Sequence, residues 1–143
     1  MRLLLDTGVL GQICHPRKHA DVRTWLRGAV QAHAVMISEL ADYELRRELL
    51  RIGATRSLVR LDELARELLY VPVTTTHWRD AAALWAAARA RGVVTAAPDS
   101  LDGDVLVAAQ AREAGATIVT TNEKHFEALG VAALAWGSVP AGP

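Results

Sequence analysis

Short apolar runs that each stop at a polar residue, separated by stretches of helical periodicity, constrain this chain more than any other feature. Leu3 to Leu5 runs into a turn at Asp6, Thr7 and Gly8. Val35 to Ser38, Tyr70 to Val73 and Thr117 to Thr120 repeat the pattern, with Ala132 to Ala135 a weaker fifth copy. Runs this short and this uniformly apolar read as strands buried on both faces. Between them, Asp21 to Val30 places Val22, Trp25, Leu26 and Val30 on one helical face. Ser57 to Leu69 does the same with Leu58, Leu61, Leu64, Leu68 and Leu69. Thr76 can cap a helix through Ala90, and the Asp99-Ser100 pair can open another that runs to Ala114 before Gly115 stops it. Strands alternating with helices predict an α/β protein: three α/β/α layers around a central, mostly parallel sheet of about five strands.

The 143 residues have the length of one domain, and the reading assigns 1–138 to it and treats 139–143, ending Pro-Ala-Gly-Pro, as a flexible tail. Sixteen Lys and Arg balance sixteen Asp and Glu, so no global field draws the chain to nucleic acid or to a lipid surface, and any RNA contact requires a local basic patch. Cys14 is the one cysteine, which excludes an internal disulfide and fits a reducing cytoplasm. No stretch approaches the roughly 20 apolar residues of a membrane span, and the N-terminus reads as a strand instead of a signal peptide.

In an open parallel sheet a ligand crevice lies beyond the carboxyl ends of the strands, where strand order reverses. Acidic residues gather at such places here. Asp6 ends the first strand, Glu44 lies in the helix after the second, Asp102 and Asp104 open the helix before the fourth, and Asn122 follows the fourth. Converging carboxylates raise one another's pKa unless a cation sits among them, and an oxygen-only donor set points to magnesium or manganese ahead of zinc. Taken singly, each residue has a plainer role: Asp6 can cap a turn, Asp102 and Asp104 can complement a helix dipole, and Glu44 can belong to a salt-bridged surface with Asp42, Glu48, Arg46, Arg47 and Arg51. The set of positions carries the argument.

The segments LLLDTGVL, ISELADYELRRELLR and LDGDVLVAAQAREAGATIVTTNEKHF resemble the PIN domain, and most closely VapC-type toxin ribonucleases, over nearly the whole chain. Asp6-Thr7 matches the first motif, Glu44 the second, and Asp104 with Thr120 and Asn122 the third. The resemblance implies a metal-dependent endoribonuclease, the toxin of a VapBC-type toxin–antitoxin pair. In it Asp6, Glu44 and Asp104, helped by Asp102 or Asn122, hold Mg2+ or Mn2+ for water attack on an RNA phosphodiester. Thr7 and Thr120 would orient carboxylates or phosphate oxygens. It also implies a homodimer and a cognate antitoxin. Gly8 replaces the family's frequent Asn or Ser, predicting a looser first loop, and Asn122 offers a carbonyl oxygen without charge.

Arg46, Arg47 and Arg51 are candidate RNA-binding residues, with solvent-exposed pairing to Asp42 and Glu48 as the alternative. Arg17, Lys18 and His19 form a second candidate edge. Trp78 and Trp85, seven apart, read as core or subunit interface, as do Trp25 and Trp136, and the five histidines are assigned no role. Competing readings are a stand-alone PIN nuclease in RNA processing and a degenerate PIN domain that binds RNA or a partner. A receiver-like phosphoacceptor is a third, disfavoured because Val71 to Thr74 offers no carboxylate.

Overall fold

The computed structural model describes residues 1–93 and 102–142. In chain order the elements are β1 (Arg2–Leu5), α1 (Thr7–Cys14), α2 (Ala20–Ala32), β2 (Ala34–Ser38), α3 (Glu39–Ile52), α4 (Thr55–Glu67), β3 (Leu69–Val71), α5 (Thr75–Ala90), α6 (Gly103–Ala114), β4 (Thr117–Val119), α7 (Glu123–Glu127), β5 (Ala133–Leu134) and a 3-10 turn at Trp136–Ser138. The strands form one sheet of order β3-β2-β1-β4-β5, and every pairing is parallel. The expected strands are all present, within one or two residues of the expected bounds.

Side chains alternate across the sheet, and both faces are buried. Leu3, Leu5, Val35, Ile37 and Val119 pack into one cluster with α1, α2, α3 and α4. Leu4, Met36 and Ile118 point the other way, into a second cluster with α5, α6 and Phe126 of α7. Period-two alternation with apolar residues on both sides is what three layers require. A buried polar hub ties the layers together at the carboxyl end of the sheet. Ser38 caps α3 by accepting from the backbone of Leu40 and Ala41, and its hydroxyl donates to Gln110 Oε1 at 2.5 Å. Gln110 Nε2 in turn donates to the carbonyls of Val71 (3.0 Å) and Pro72 (3.3 Å).

The chain departs from the sequence reading in several places. After Asp6 it enters helix α1 directly, so Gly8 lies within a helical turn and not in a loop. Helix α4 stops at Glu67, and Leu69, counted with its apolar face, begins β3 and is exposed. Thr74, not Thr76, caps α5: it accepts from the His77 backbone while the His77 ring accepts from the Thr74 backbone, a reciprocal capping box. Helix α6 begins at Gly103, and the Asp99-Ser100 opening lies outside the described residues. Gly115 ends it with φ 62°, a left-handed conformation that a Cβ disfavours.

Trp78 and Trp85 are not core: they are 51 % and 42 % exposed on α5, Arg89 lies over the Trp85 ring, and the buried stripe is His77, Ala81, Leu84 and Ala88. Trp25 is buried against Trp136. Residues 139–141, expected as tail, are docked. Val139 is buried, its carbonyl accepts from the Trp25 indole at 3.0 Å, and Ala141 lies against Gly28. Among the described residues no helix is long and apolar enough to cross a membrane.

Cys14 sits in the first cluster, and burial pushes its thiol up to about 12. The thiolate is the reactive species, so at pH 8 the folded chain should leave a thiol reagent such as Ellman's unreacted for as long as it stays folded. Stoichiometric labelling within minutes, without denaturant, would contradict that burial.

Candidate active site

Strand order reverses between β1 and β4, and that switch point is where the polar side chains meet. Asp6 leaves the end of β1, and its backbone N–H continues the ladder to the Val119 carbonyl at 3.0 Å. Thr120 leaves the end of β4 and is almost fully buried; its hydroxyl donates to Asp6 Oδ2 at 2.8 Å and accepts the Asn122 backbone N–H at 3.0 Å. Asp6 Oδ1 accepts from the Thr7 backbone at 2.8 Å. The Thr7 hydroxyl, in the first turn of α1, donates to Glu44 Oε1 at 2.8 Å, which fixes α3 against α1.

Helix α6 closes the crevice. A Cβ placed on buried Gly103 would stand 3.0 Å from Glu44 Oε2 and 3.2 Å from Leu40, so the first turn of α6 lies directly on α3. Asp104 follows in that turn. Burial raises its pKa above the ordinary carboxylate value, the nearby carboxylates of Asp6, Glu44 and Asp102 add to the rise, and His125 opposes it. Acidic groups from one strand end and two helices, Asp6, Glu44 and Asp102, thus lie within electrostatic reach of Asp104.

His125, which the sequence reading assigned no role, belongs to this cluster. Its Nε2 stands 2.6 Å from Asp104 Oδ2. That nitrogen is buried and has no aligned hydrogen-bond partner, so the contact is close but lies off the axis of a ring N–H. No sequence spacing marks it, since Asp104 and His125 meet only because β4 lies between their helices. Asn122 is exposed, caps α7 without a side-chain bond, and touches the site through its backbone.

The arginines of α3 have partners of their own. Arg46 pairs with Asp42 at 3.0 Å and Asp62 at 2.8 Å, Arg51 with Glu48, and Arg47 lies over the Tyr43 ring. Two cavities, about 390 and 530 Å³, lie elsewhere, between the α1–α2 connection and the start of α4. They hold no converging carboxylates, which gather at the switch point instead.

The sequence profile of the PIN domain matches residues 3–132. The chain belongs to the PIN domain family. The fold agrees with several solved structures. The chain superposes on VapBC2 from Rickettsia felis bound to a promoter DNA fragment with a TM-score of 0.79 and 20 % identity, covering 95 % of this chain and 99 % of that one. FitAcB from Neisseria gonorrhoeae gives 0.72 and 22 %, covering 96 % and 99 %. VapBC-1 from nontypeable Haemophilus influenzae gives 0.72 and 15 %, covering 96 % and 100 %. No curated protein sequence matches the chain. In this PIN domain, Asp6 follows β1 and caps α1, Thr7 begins α1, Glu44 projects from α3, and Asp104 lies at the start of α6.

Thr120 is the side chain to test for positioning. Thr120→Val removes the donor to Asp6 and the acceptor for Asn122 while keeping the shape. A group that orients a metal-ligating carboxylate is worth about 10–100-fold in metal affinity or activity. The expected loss of that size, with a change in unfolding free energy of only about 1 kcal/mol by urea titration, separates orientation from folding.

Proposed function

We propose that this PIN domain is a metal-dependent endoribonuclease that cuts RNA phosphodiesters at the β1–β4 switch point. The observation that carries the reading is the shared crevice of Asp6, Glu44, Asp102 and Asp104, where burial and mutual repulsion raise the Asp104 pKa. Such a cluster is unfavourable by itself and favourable around a cation. The donors fit a hard divalent ion: they are oxygens, and in two of the carboxylates one oxygen is held by a hydroxyl, Asp6 by Thr120 and Glu44 by Thr7. Among the described residues no three such groups already enclose a point, so binding must draw the carboxylates inward.

Asp6, Glu44 and Asp104 would hold Mg2+ or Mn2+, with Asp102 or Asn122 completing the set. When bound, the ion supplies Lewis-acid stabilisation of the phosphate charge and lowers the pKa of a water for in-line attack. The chain's own part is to fix the carboxylates: Thr120 and Thr7 hold theirs by one oxygen, and α6 packs over the crevice. Products with a 5′-phosphate and a 3′-hydroxyl are expected. No side chain in the crevice needs to act as nucleophile.

The biological reading is a cytoplasmic toxin of the VapC type, acting as a homodimer and silenced by a cognate antitoxin. Similarity to VapBC and FitAB complexes across almost the full length of both chains supports it. Arg46, Arg47 and Arg51 remain the candidate RNA contacts, on condition that RNA phosphates displace Asp42, Asp62 and Glu48. The purified chain should cleave single-stranded RNA with Mg2+ or Mn2+ and stop when the ion is chelated. Cleavage that persists in excess chelator overturns the metal mechanism; RNA retained with no product favours a binding module instead.

A further inference from the structure

We infer that His125 is a ligand to the ion of this site, a nitrogen donor beside Asp104 that makes the site prefer manganese or a similar transition-metal ion to magnesium. The inference rests on the nuclease reading and goes beyond it, since neither the carboxylate set nor the sequence motifs include this histidine.

The geometry has three parts. First, Nε2 of His125 is buried at the crevice and touches Asp104 Oδ2 at 2.6 Å. Second, the ring nitrogen is not aligned to donate along that contact, so the pairing lacks the directionality of a hydrogen bond. A buried imidazole nitrogen without an aligned partner calls for one. Third, neighbouring ligands of a six-coordinate ion with bonds of roughly 2.1 Å lie about 3 Å apart, close to the separation already present. An imidazole nitrogen and a carboxylate oxygen stand side by side without an aligned hydrogen bond from the ring, an arrangement that a shared cation would complete.

The local fold explains why this histidine reaches the site. Asn122 caps the short α7, its backbone held by the buried Thr120 hydroxyl, and His125 lies in the turn that follows. Phe126, the next residue, is fully buried in the second cluster and anchors that turn. The crevice therefore gains an imidazole where the sequence reading saw only the neutral amide of Asn122. Imidazole suits first-row transition metals, whereas magnesium takes oxygen and retains its waters, so the donor biases the choice of ion.

The test uses the full chain with Mn2+ alone as probe, read by isothermal titration and by pulsed electron paramagnetic resonance, with Mg2+ as competitor. Wild type should bind Mn2+ more tightly than Mg2+, and bound Mn2+ should show hyperfine coupling to an imidazole nitrogen. His125→Leu should lose that coupling and weaken Mn2+ binding by about 10–100-fold, the range for disrupted metal sites, while changing Mg2+ binding much less. His125→Gln, which replaces the nitrogen by an amide oxygen, covers the case of a Leu variant that does not fold; it should bind both ions with no nitrogen coupling. Mn2+ bound to wild type without nitrogen coupling, or coupling that survives in either variant, overturns the inference and leaves the nuclease reading standing. A wild-type chain that binds neither ion overturns both.

Discussion

Replacing Asp6 by asparagine is expected to reduce RNA cleavage by about 10^2–10^3-fold while leaving the metal-free chain folded. Asn keeps one carbonyl oxygen, so one of the two present bonds, from the Thr7 backbone and the Thr120 hydroxyl, survives. The lost bond costs about 1 kcal/mol, and removing one of several repelling charges offsets part of it. Melting in chelator should therefore fall within about 4 °C of wild type. What disappears is a fixed negative ligand at the centre of the site, and losing one preorganised electrostatic contact at a reacting centre commonly costs two to three orders of magnitude. A second readout separates this from misfolding. Saturating Mn2+, at about a hundred times its dissociation constant, should stabilise wild type by roughly 2.7 kcal/mol and Asp6→Asn by much less. Equal stabilisation of both chains would remove Asp6 from the set of ligands, whatever the cleavage assay gives.

Gln110→Leu is the substitution expected to cost most in stability, about 2–4 kcal/mol by urea denaturation. The side chain is fully buried and makes three hydrogen bonds, to Ser38, Val71 and Pro72. Leucine fills a similar volume but leaves the Ser38 hydroxyl and two carbonyls without their partner, at about 1–3 kcal/mol for each group that water cannot reach. Against a total of about 5–15 kcal/mol for a domain, this is a large fraction. Gln110→Glu should be no milder at neutral pH, because a carboxylate cannot donate to Val71 and Pro72 and would be buried with its charge. Cleavage should fall as well, since Ser38 begins the helix that carries Glu44 and Gln110 lies on the helix that carries Asp104. A Leu variant with a wild-type midpoint would show the hub to be dispensable.

The sheet was readable because Leu3 to Leu5, Val35 to Ser38 and Thr117 to Thr120 are apolar on both faces, a pattern with few other homes. The helices with clear boundaries were readable for the same kind of reason, as with Gly115 at the end of α6. What escaped was short or ambiguous. Helix α1 has eight residues, two of them glycine, and Asp6-Thr7-Gly8 is equally good turn chemistry. Three consecutive threonines obscured the cap of α5, which the His77 ring decides in favour of Thr74. Along the same helix, alanine on every side let the tryptophan stripe pass for the buried one, when the buried stripe lies one residue earlier at His77, Ala81, Leu84 and Ala88. Val139 was hidden in a Pro-Gly tail because its partner, Trp25, is more than a hundred residues away.

The candidate site divides along the same line. Asp6 and Asp104 stand at a strand end and a helix start, where topology alone draws attention to them, whereas Glu44 lies inside α3 and was marked by the motif it matches. Thr7 bonds to Glu44 and Thr120 to Asp6, contacts between separate elements that no spacing in the sequence specifies. His125 had no such marker: its contact with Asp104 depends on the path of α7 beyond β4, which no local pattern records. The basic edge is the converse case, where Arg46 and Arg51 were visible in the sequence but their neighbours on α3 and α4 occupy them.

The central strand of the sheet is the first one synthesised, and its second neighbour, β4, is among the last: Leu5 pairs with Val119. Asp6 and Thr120 can meet only when that pairing closes. A ribosome making this protein therefore carries an incomplete pocket until the chain through Thr120 has cleared the exit tunnel, and any fragment truncated before Thr120 lacks one wall of it. If the domain cuts RNA as proposed, such an order of assembly would keep the nascent chain inert beside the messenger that encodes it.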